Sequence, residues 1–111
     1  MAEDGIEEML KSGEHERLEY KTSLRWDGKR QQVNRELERA VMKTVTAFLN
    51  SDGGHLLIGV DDKGELLGLE NDFTSLPKPD KDGFENHFNN IFNQMVGPEF
   101  RRFVRLSFHN E

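Results

Sequence analysis

The sequence contains no cysteine, which excludes disulfide bonds, thiolate metal sites and a cysteine nucleophile. No apolar run approaches the roughly 20 residues that a membrane-spanning helix needs, and residues 1–5 lack the order of basic, apolar and small residues that marks a signal peptide. The glycine-rich phosphate cradles Gly-x-x-x-x-Gly-Lys-Ser/Thr and Gly-x-Gly-x-x-Gly are also missing. These absences predict a cytoplasmic protein with no membrane contact through this segment and no P-loop.

The length of 111 residues predicts one domain with a modest core, because surface-to-volume scaling leaves little room for two. Eight phenylalanines supply much of the apolar surface that such a core needs. The chain stops three residues after a predicted strand. We therefore expect residues 1–111 to be a single domain, the amino-terminal or central fragment of a longer protein, with its last strands missing.

Three segments carry apolar residues at helical spacing. Residues 4–11 predict a short helix with Asp4 as its N-cap. Residues 33–50 predict a longer amphipathic helix. A third helix, with Asp82 in its capping box, follows the prolines at 77 and 79. Its apolar face is formed by Phe84, Phe88, Ile91, Phe92 and Met95.

Four further segments have the composition or alternation of strands. Residues 17–22 alternate weakly, with Leu18 and Tyr20 toward the core, and residues 55–60 form a continuous apolar run typical of a buried central strand. Residues 65–69 return as the second arm of a hairpin, and residues 102–108 alternate again. Residues 23–32 predict an irregular, mobile, basic loop. The expected class is α+β, with a small mixed sheet packed against two main helices.

The charge is unevenly distributed along the chain. A net charge of -6 disfavours non-specific phosphate binding, yet residues 17–43 hold eight bases against four acids. These bases are either the solvated side of an amphipathic helix and its flanks or a surface that follows a phosphate backbone. The candidate nucleic-acid-binding residues are Lys21, Arg25, Lys29, Arg30, Arg35, Arg39 and Lys43.

Carboxylates stand near the ends of two predicted strands. Glu14 precedes the first predicted strand and Glu19 lies on it. Asp61 and Asp62 stand at the end of the predicted buried strand. If the strands are neighbours, three carboxylates could hold Mg²⁺ or Mn²⁺ and activate water against a phosphodiester, with Lys21 neutralising the phosphate. The alternative is that the aspartates are ordinary turn residues and the glutamates ordinary surface charge.

Three ordered motifs are more specific than these patterns. They are Glu14-x4-Glu19-Tyr-Lys, Ala47-Phe-Leu-Asn-Ser-Asp-Gly-Gly and Leu57-Ile-Gly-Val-Asp-Asp-x-Gly-x3-Gly. Together, over residues 14–69, they resemble the Schlafen AlbA-like domain family. The resemblance implies an AlbA-like α+β fold and a module that binds RNA or DNA within a larger microbial regulatory or helicase-like protein.

The resemblance also implies two alternatives to simple binding. In vertebrate Schlafen proteins a Glu, a second Glu five residues later and a later Asp form a metal-dependent endoribonuclease site, which would fall on Glu14, Glu19 and Asp62, with Asp61 as the alternate, and would use Mg²⁺ or Mn²⁺. Those enzymes fold two lobes together, and the expected homodimer could supply the second lobe here. The remaining alternative is a dimerisation or regulatory domain without nucleic-acid function, which the negative net charge favours.

Overall fold

The computed structural model describes residues 2–109, and of residues 2–4 only the helical backbone. The fold is α+β, as predicted. Within the described residues no helix is long and apolar enough to cross a membrane. The elements in chain order are α1 (Ala2–Ser12), β1 (Leu18–Lys21), β2 (Trp26–Asp27), β3 (Gln32–Val33), α2 (Arg35–Leu49), β4 (His55–Ile58), α3 (Glu70–Thr74), α4 (Lys81–Met95) and a 3₁₀ helix (Pro98–Phe103).

β1 and β4 form a parallel pair, in register from Leu18 opposite His55 to Lys21 opposite Ile58. Parallel neighbours need a long crossover, and α2 supplies it. Leu18 and Tyr20 are buried, as predicted, on the side of the pair that faces α1. Among the described strands β4 pairs with β1 alone, so it is not the central strand that its apolar run predicted.

The main core lies between α2 and α4. α2 begins after Asn34, whose side chain accepts a hydrogen bond from the Glu36 N–H. α4 begins after Asp80, which accepts from Gly83 N–H at 2.8 Å, so the predicted cap at Asp82 lies two residues too late. The predicted apolar face of α4 is confirmed except for Met95, which is half-buried. The buried residues of the two helices are Glu38, Val41, Met42, Val45, Gly83, Phe84, Phe88, Ile91 and Phe92.

The predicted hairpin after β4 is reduced to one antiparallel bridge between Val60 and Leu66. The chain turns back because the backbone of Gly59 accepts hydrogen bonds from Leu67 N–H and Gly68 N–H. Gly59 has φ 91°, and a Cβ there would lie 2.8 Å from the carbonyl oxygen of Gly68. Glycine is therefore required at this close approach.

The ends of the chain differ from their predictions. α1 begins at Ala2, which places Asp4 inside the helix rather than at its N-cap, and the side-chain contacts of Asp4 lie outside the described residues. The strand predicted over residues 102–108 is wrong. The 3₁₀ helix runs to Phe103, and residues 104–109 are unpaired within the described chain. Apolar and polar residues still alternate in this segment although it pairs with no strand. Its apolar residues Val104, Leu106 and Phe108 pack against the main core.

Candidate nucleic-acid interface

The segment predicted to be an irregular loop is a short antiparallel hairpin of β2 and β3. The carboxylate of Asp27 organises its turn, accepting from Lys29 N–H at 3.0 Å, from Arg30 N–H at 3.1 Å and from the Asn34 side-chain amide at 3.0 Å. The Asn34 amide, then the Arg30 and Lys29 N–H groups and the charge of Arg30, hold the pKa of Asp27 below its usual value of 3.8, although desolvation opposes them. The turn is thus fixed by an ionised carboxylate.

A second carboxylate fixes the chain as it enters this hairpin. Asp72, on α3 and only 1% exposed, accepts from three consecutive backbone N–H groups, those of Leu24 at 2.7 Å, Arg25 at 3.0 Å and Trp26 at 2.9 Å. Sequence reasoning missed Asp72, because nothing in a local pattern connects position 72 with position 24.

The hairpin leads directly into α2 at Asn34. Asn34 ends the hairpin by donating its N–H to the Arg25 carbonyl at 2.8 Å, and the same residue caps α2. The exposed bases of the hairpin turn and those of the outer face of α2 therefore stand on two elements that are joined directly at Asn34. We call this set the basic face. Its exposed members are Lys29, Arg30, Arg35, Arg39 and Lys43.

Several of the predicted bases are paired with acids. Arg35 Nη1 lies 3.5 Å from Glu38 Oε1, and Arg25 Nε lies 3.8 Å from Glu38 Oε2. His87 Nε2, on α4, approaches the same Glu38 carboxylate at 2.5 Å. Glu38 is 2% exposed, so one buried acid is shared by three partners. Sequence reasoning counted Glu38 only as one of the four acids of residues 17–43 and did not identify this cluster.

The remaining bases divide into paired and unpaired groups. Arg39 pairs with Glu36, and Arg30 Nε lies 4.0 Å from Asp27 Oδ2. Within residues 5–109, Lys29 and Lys43 form no ion pair. These two lysines are the members of the basic face whose charge is least compensated.

Lys21 stands apart from the basic face. It lies on β1, with its ammonium nitrogen 3.8 Å from Glu19 Oε2. Both side chains are partly exposed at 27% and 39%. An exposed pair of this kind contributes little to stability, but it lowers the local positive charge that Lys21 would offer to a phosphate.

The predicted carboxylate site is not assembled as a metal centre. Glu14 Oε2 accepts the Tyr20 N–H at 3.0 Å, and Asp61 Oδ1 accepts the N–H groups of Lys63 and Glu65, both at 2.9 Å. Asp62 is exposed. In the described part of the chain, no group of three or more His, Cys, Asp or Glu side chains could hold a metal ion. Glu14, Glu19 and either aspartate are therefore not gathered around one point in this structure, as a three-carboxylate Mg²⁺ or Mn²⁺ site requires.

Comparison with known proteins settles the family. A family model described as "Schlafen, AlbA_2" matches residues 14–110, most of the chain. The chain belongs to the Schlafen AlbA_2 family. No curated protein and no solved structure matches it significantly.

In this Schlafen AlbA_2 domain the family match covers every element from β1 to the 3₁₀ helix. It therefore includes the whole basic face and both carboxylates, Asp27 and Asp72, that order its backbone. Chemically, the face offers exposed ammonium and guanidinium groups on a hairpin and a helix, an arrangement suited to phosphate oxygens.

Proposed function

We propose that this Schlafen AlbA_2 domain is a nucleic-acid-binding module, and that the basic face meets the phosphate backbone. The observation that carries the proposal is the continuity of the hairpin with α2. Residues 25–43 hold six bases against three acids, and Glu38, one of these acids, is nearly inaccessible to solvent. The acids that make the whole chain negative lie elsewhere in the sequence.

The five exposed bases have different roles in this proposal. Lys29 and Lys43 can approach a phosphate without giving up an acidic partner, so each phosphate contact releases counterions at little cost. Arg30, Arg35 and Arg39 must exchange Asp27, Glu38 and Glu36 for phosphates. We therefore expect the lysines to dominate the electrostatic attraction and the arginines to add geometric specificity.

The wider context is also a proposal. The family resemblance supports a module of a larger microbial regulatory or helicase-like protein, acting on RNA or DNA and working as a homodimer. Light scattering over a range of protein concentrations tests the dimer. A mass that stays at 12.9 kDa throughout would contradict it.

The binding proposal is tested by fluorescence anisotropy with labelled single-stranded RNA, single-stranded DNA and duplex DNA over a range of salt concentrations. We expect the logarithm of the affinity to fall linearly with the logarithm of the salt concentration. Lys29→Gln and Lys43→Gln should each reduce that slope by about 0.7 to 0.9, the value for one phosphate contact.

Lys63→Gln is the matched control, because Lys63 is an exposed lysine in the turn after β4, outside the basic face. It should leave both affinity and slope unchanged. Absence of binding at low salt, or equal losses in all three variants, would contradict the proposal. The first of these outcomes would favour a regulatory domain without nucleic-acid function.

A further inference from the structure

The two phenylalanines of the 3₁₀ helix are exposed, unlike the other six in the chain. Phe100 is 45% exposed and Phe103 is 62% exposed, whereas the remaining phenylalanines are buried or half-buried. Leaving aromatic rings in water forgoes the stabilisation that burial would give. A pair of such rings next to a cavity indicates a contact surface.

Both rings line a cavity of about 550 Å³ between the end of α2 and the end of α4. Its volume lies within the range of about 300 to 1,000 Å³ typical of small-ligand sites. The walls are mainly apolar, with Phe48 and Leu49 on one side and Met95 on the other. A flat, uncharged aromatic group is the kind of ligand that such walls accept.

Arginines hold and flank this site. Arg101 donates from Nε to Asn89 Oδ1 at 2.7 Å and places its guanidinium 5.5 Å from the centre of the Phe88 ring. These contacts fix the 3₁₀ helix to α4. Arg102 lies over Phe103 at 4.9 Å from the ring centre, which places a cation beside the most exposed ring. Arg105 is exposed two residues beyond Phe103.

The cavity also connects with the basic face. Thr46, one of its lining residues, lies three positions after Lys43 on α2, and residues three apart are neighbours on a helix surface. Asp52 is another lining residue, so the cavity itself is a poor place for a phosphate. Phosphates are favoured outside it, beside Lys43 and Arg102, and an uncharged base inside it.

We propose that Phe100, Phe103 and Arg102 form a stacking platform for an unpaired base of a single-stranded nucleic acid whose phosphates contact the basic face. The inference rests on the proposed nucleic-acid binding and adds a preference for single strands. Every base has a π-face, so the platform tolerates different sequences. A paired and stacked duplex cannot place a base there without first opening.

The test uses oligonucleotides of equal length, as oligo(U), oligo(dT), an abasic strand with the same phosphates and a duplex. The whole chain should bind oligo(U) and oligo(dT) about tenfold more tightly than the abasic strand, which corresponds to one stacked base at about 1.4 kcal/mol. Phe103→Leu should remove most of that difference while leaving affinity for the abasic strand unchanged.

Leu67→Ala is the control, because Leu67 is 55% exposed and does not line the cavity. Thermal unfolding should show both variants folded, since both side chains lie mainly in solvent. A strand containing 2-aminopurine should lose fluorescence on binding to wild type and regain it with Phe103→Leu.

Three outcomes overturn the platform. Equal affinity for base-containing and abasic strands would overturn it while leaving the basic face as the proposed binding surface. A loss in Phe103→Leu that is the same for both kinds of strand would do so too. No binding of any strand at low salt would overturn the platform together with the proposed function.

Discussion

Asp72 and Leu24, 48 residues apart, are joined by a hydrogen bond of 2.7 Å from the Leu24 backbone N–H to the Asp72 carboxylate. The same carboxylate accepts the next two N–H groups, so it satisfies three donors in the segment that leads from β1 into Trp26, the first residue of β2. Buried N–H groups without a partner are costly. Asp72 therefore fixes where the hairpin, and with it the basic face, begins.

Replacing Asp72 with alanine should be among the most destabilising single changes in the chain. It leaves the N–H of the buried residue Leu24 and its two neighbours without acceptors, and we expect a loss of about 3 kcal/mol of unfolding free energy. Urea denaturation measures it. Asp62→Ala, an exposed aspartate, should change stability by less than about 0.5 kcal/mol. Equal effects of the two substitutions would show that the Asp72 contacts do not hold the hairpin.

Glu38 and Glu36 allow a matched comparison of a buried and an exposed acid on one helix. Glu38→Gln removes the charge that faces Arg25 and Arg35, and a loss of about 2 kcal/mol is expected because the Glu38 side chain is only 3% exposed. Glu36→Gln removes the partner of Arg39 in solvent and should cost less than about 0.5 kcal/mol. The urea denaturation midpoints of the two variants measure both losses of stability. A Glu36 effect as large as that of Glu38 would mean that burial is not the cause.

The features that depended on local pattern could be predicted from the sequence. The strand at Leu18 and Tyr20 follows from a weak alternation of period two, and the apolar face of α4 follows from a clear period of 3.6. In the helix predicted over residues 33–50 the apolar residues at helical spacing include Leu37, which is half-buried, whereas the buried residues of α2 include Glu38 and Met42. The buried face of α2 differs from the apolar pattern because Glu38 is buried with basic partners, one of them His87 on α4.

The features that depended on distant contacts could not be predicted. The hairpin of β2 and β3 is held by Asp27 and by Asp72 of α3. The 3₁₀ helix replaces a predicted strand because Arg101 is anchored by Asn89 and by the carbonyl of Val104, at 2.5 Å. The bases of the basic face were identified from composition, but their pairing with Glu36 and Glu38 required the structure.

The lowered pKa of Asp27 predicts how the stability of the folded chain changes in acid. Its pKa is lowered in the folded state, so its contribution to stability is present above its usual pKa of 3.8 and is lost as the pH falls through the lower folded value. The free energy of unfolding should therefore fall with pH below about 4. Urea denaturation at a series of pH values should show that the free energy of unfolding declines less steeply in acid in Asp27→Asn than in wild type. Identical declines in wild type and Asp27→Asn would contradict this assignment.

The carboxylates that the family resemblance linked to metal-dependent cleavage should contribute to the stability of the fold independently of one another. Glu14→Ala should cost about 1 kcal/mol, because Glu14 accepts the backbone N–H of Tyr20 within β1. Glu19→Ala and Asp62→Ala should each cost less than about 0.5 kcal/mol, since neither accepts a backbone hydrogen bond within residues 5–109. Thermal unfolding measures all three.

Titration with Mn²⁺ distinguishes this independence from a shared metal site. A ligand that binds only the folded state raises the melting temperature by mass action. Three carboxylates meeting on one ion would give a Mn²⁺-dependent rise that each of Glu14→Ala, Glu19→Ala and Asp62→Ala abolishes. We expect no such common loss, because these side chains form no metal-holding group within residues 5–109. A common loss, accompanied by Mn²⁺-dependent cleavage of tRNA on a gel, would replace the binding module with a nuclease whose carboxylates come together only when the ion and the RNA are bound.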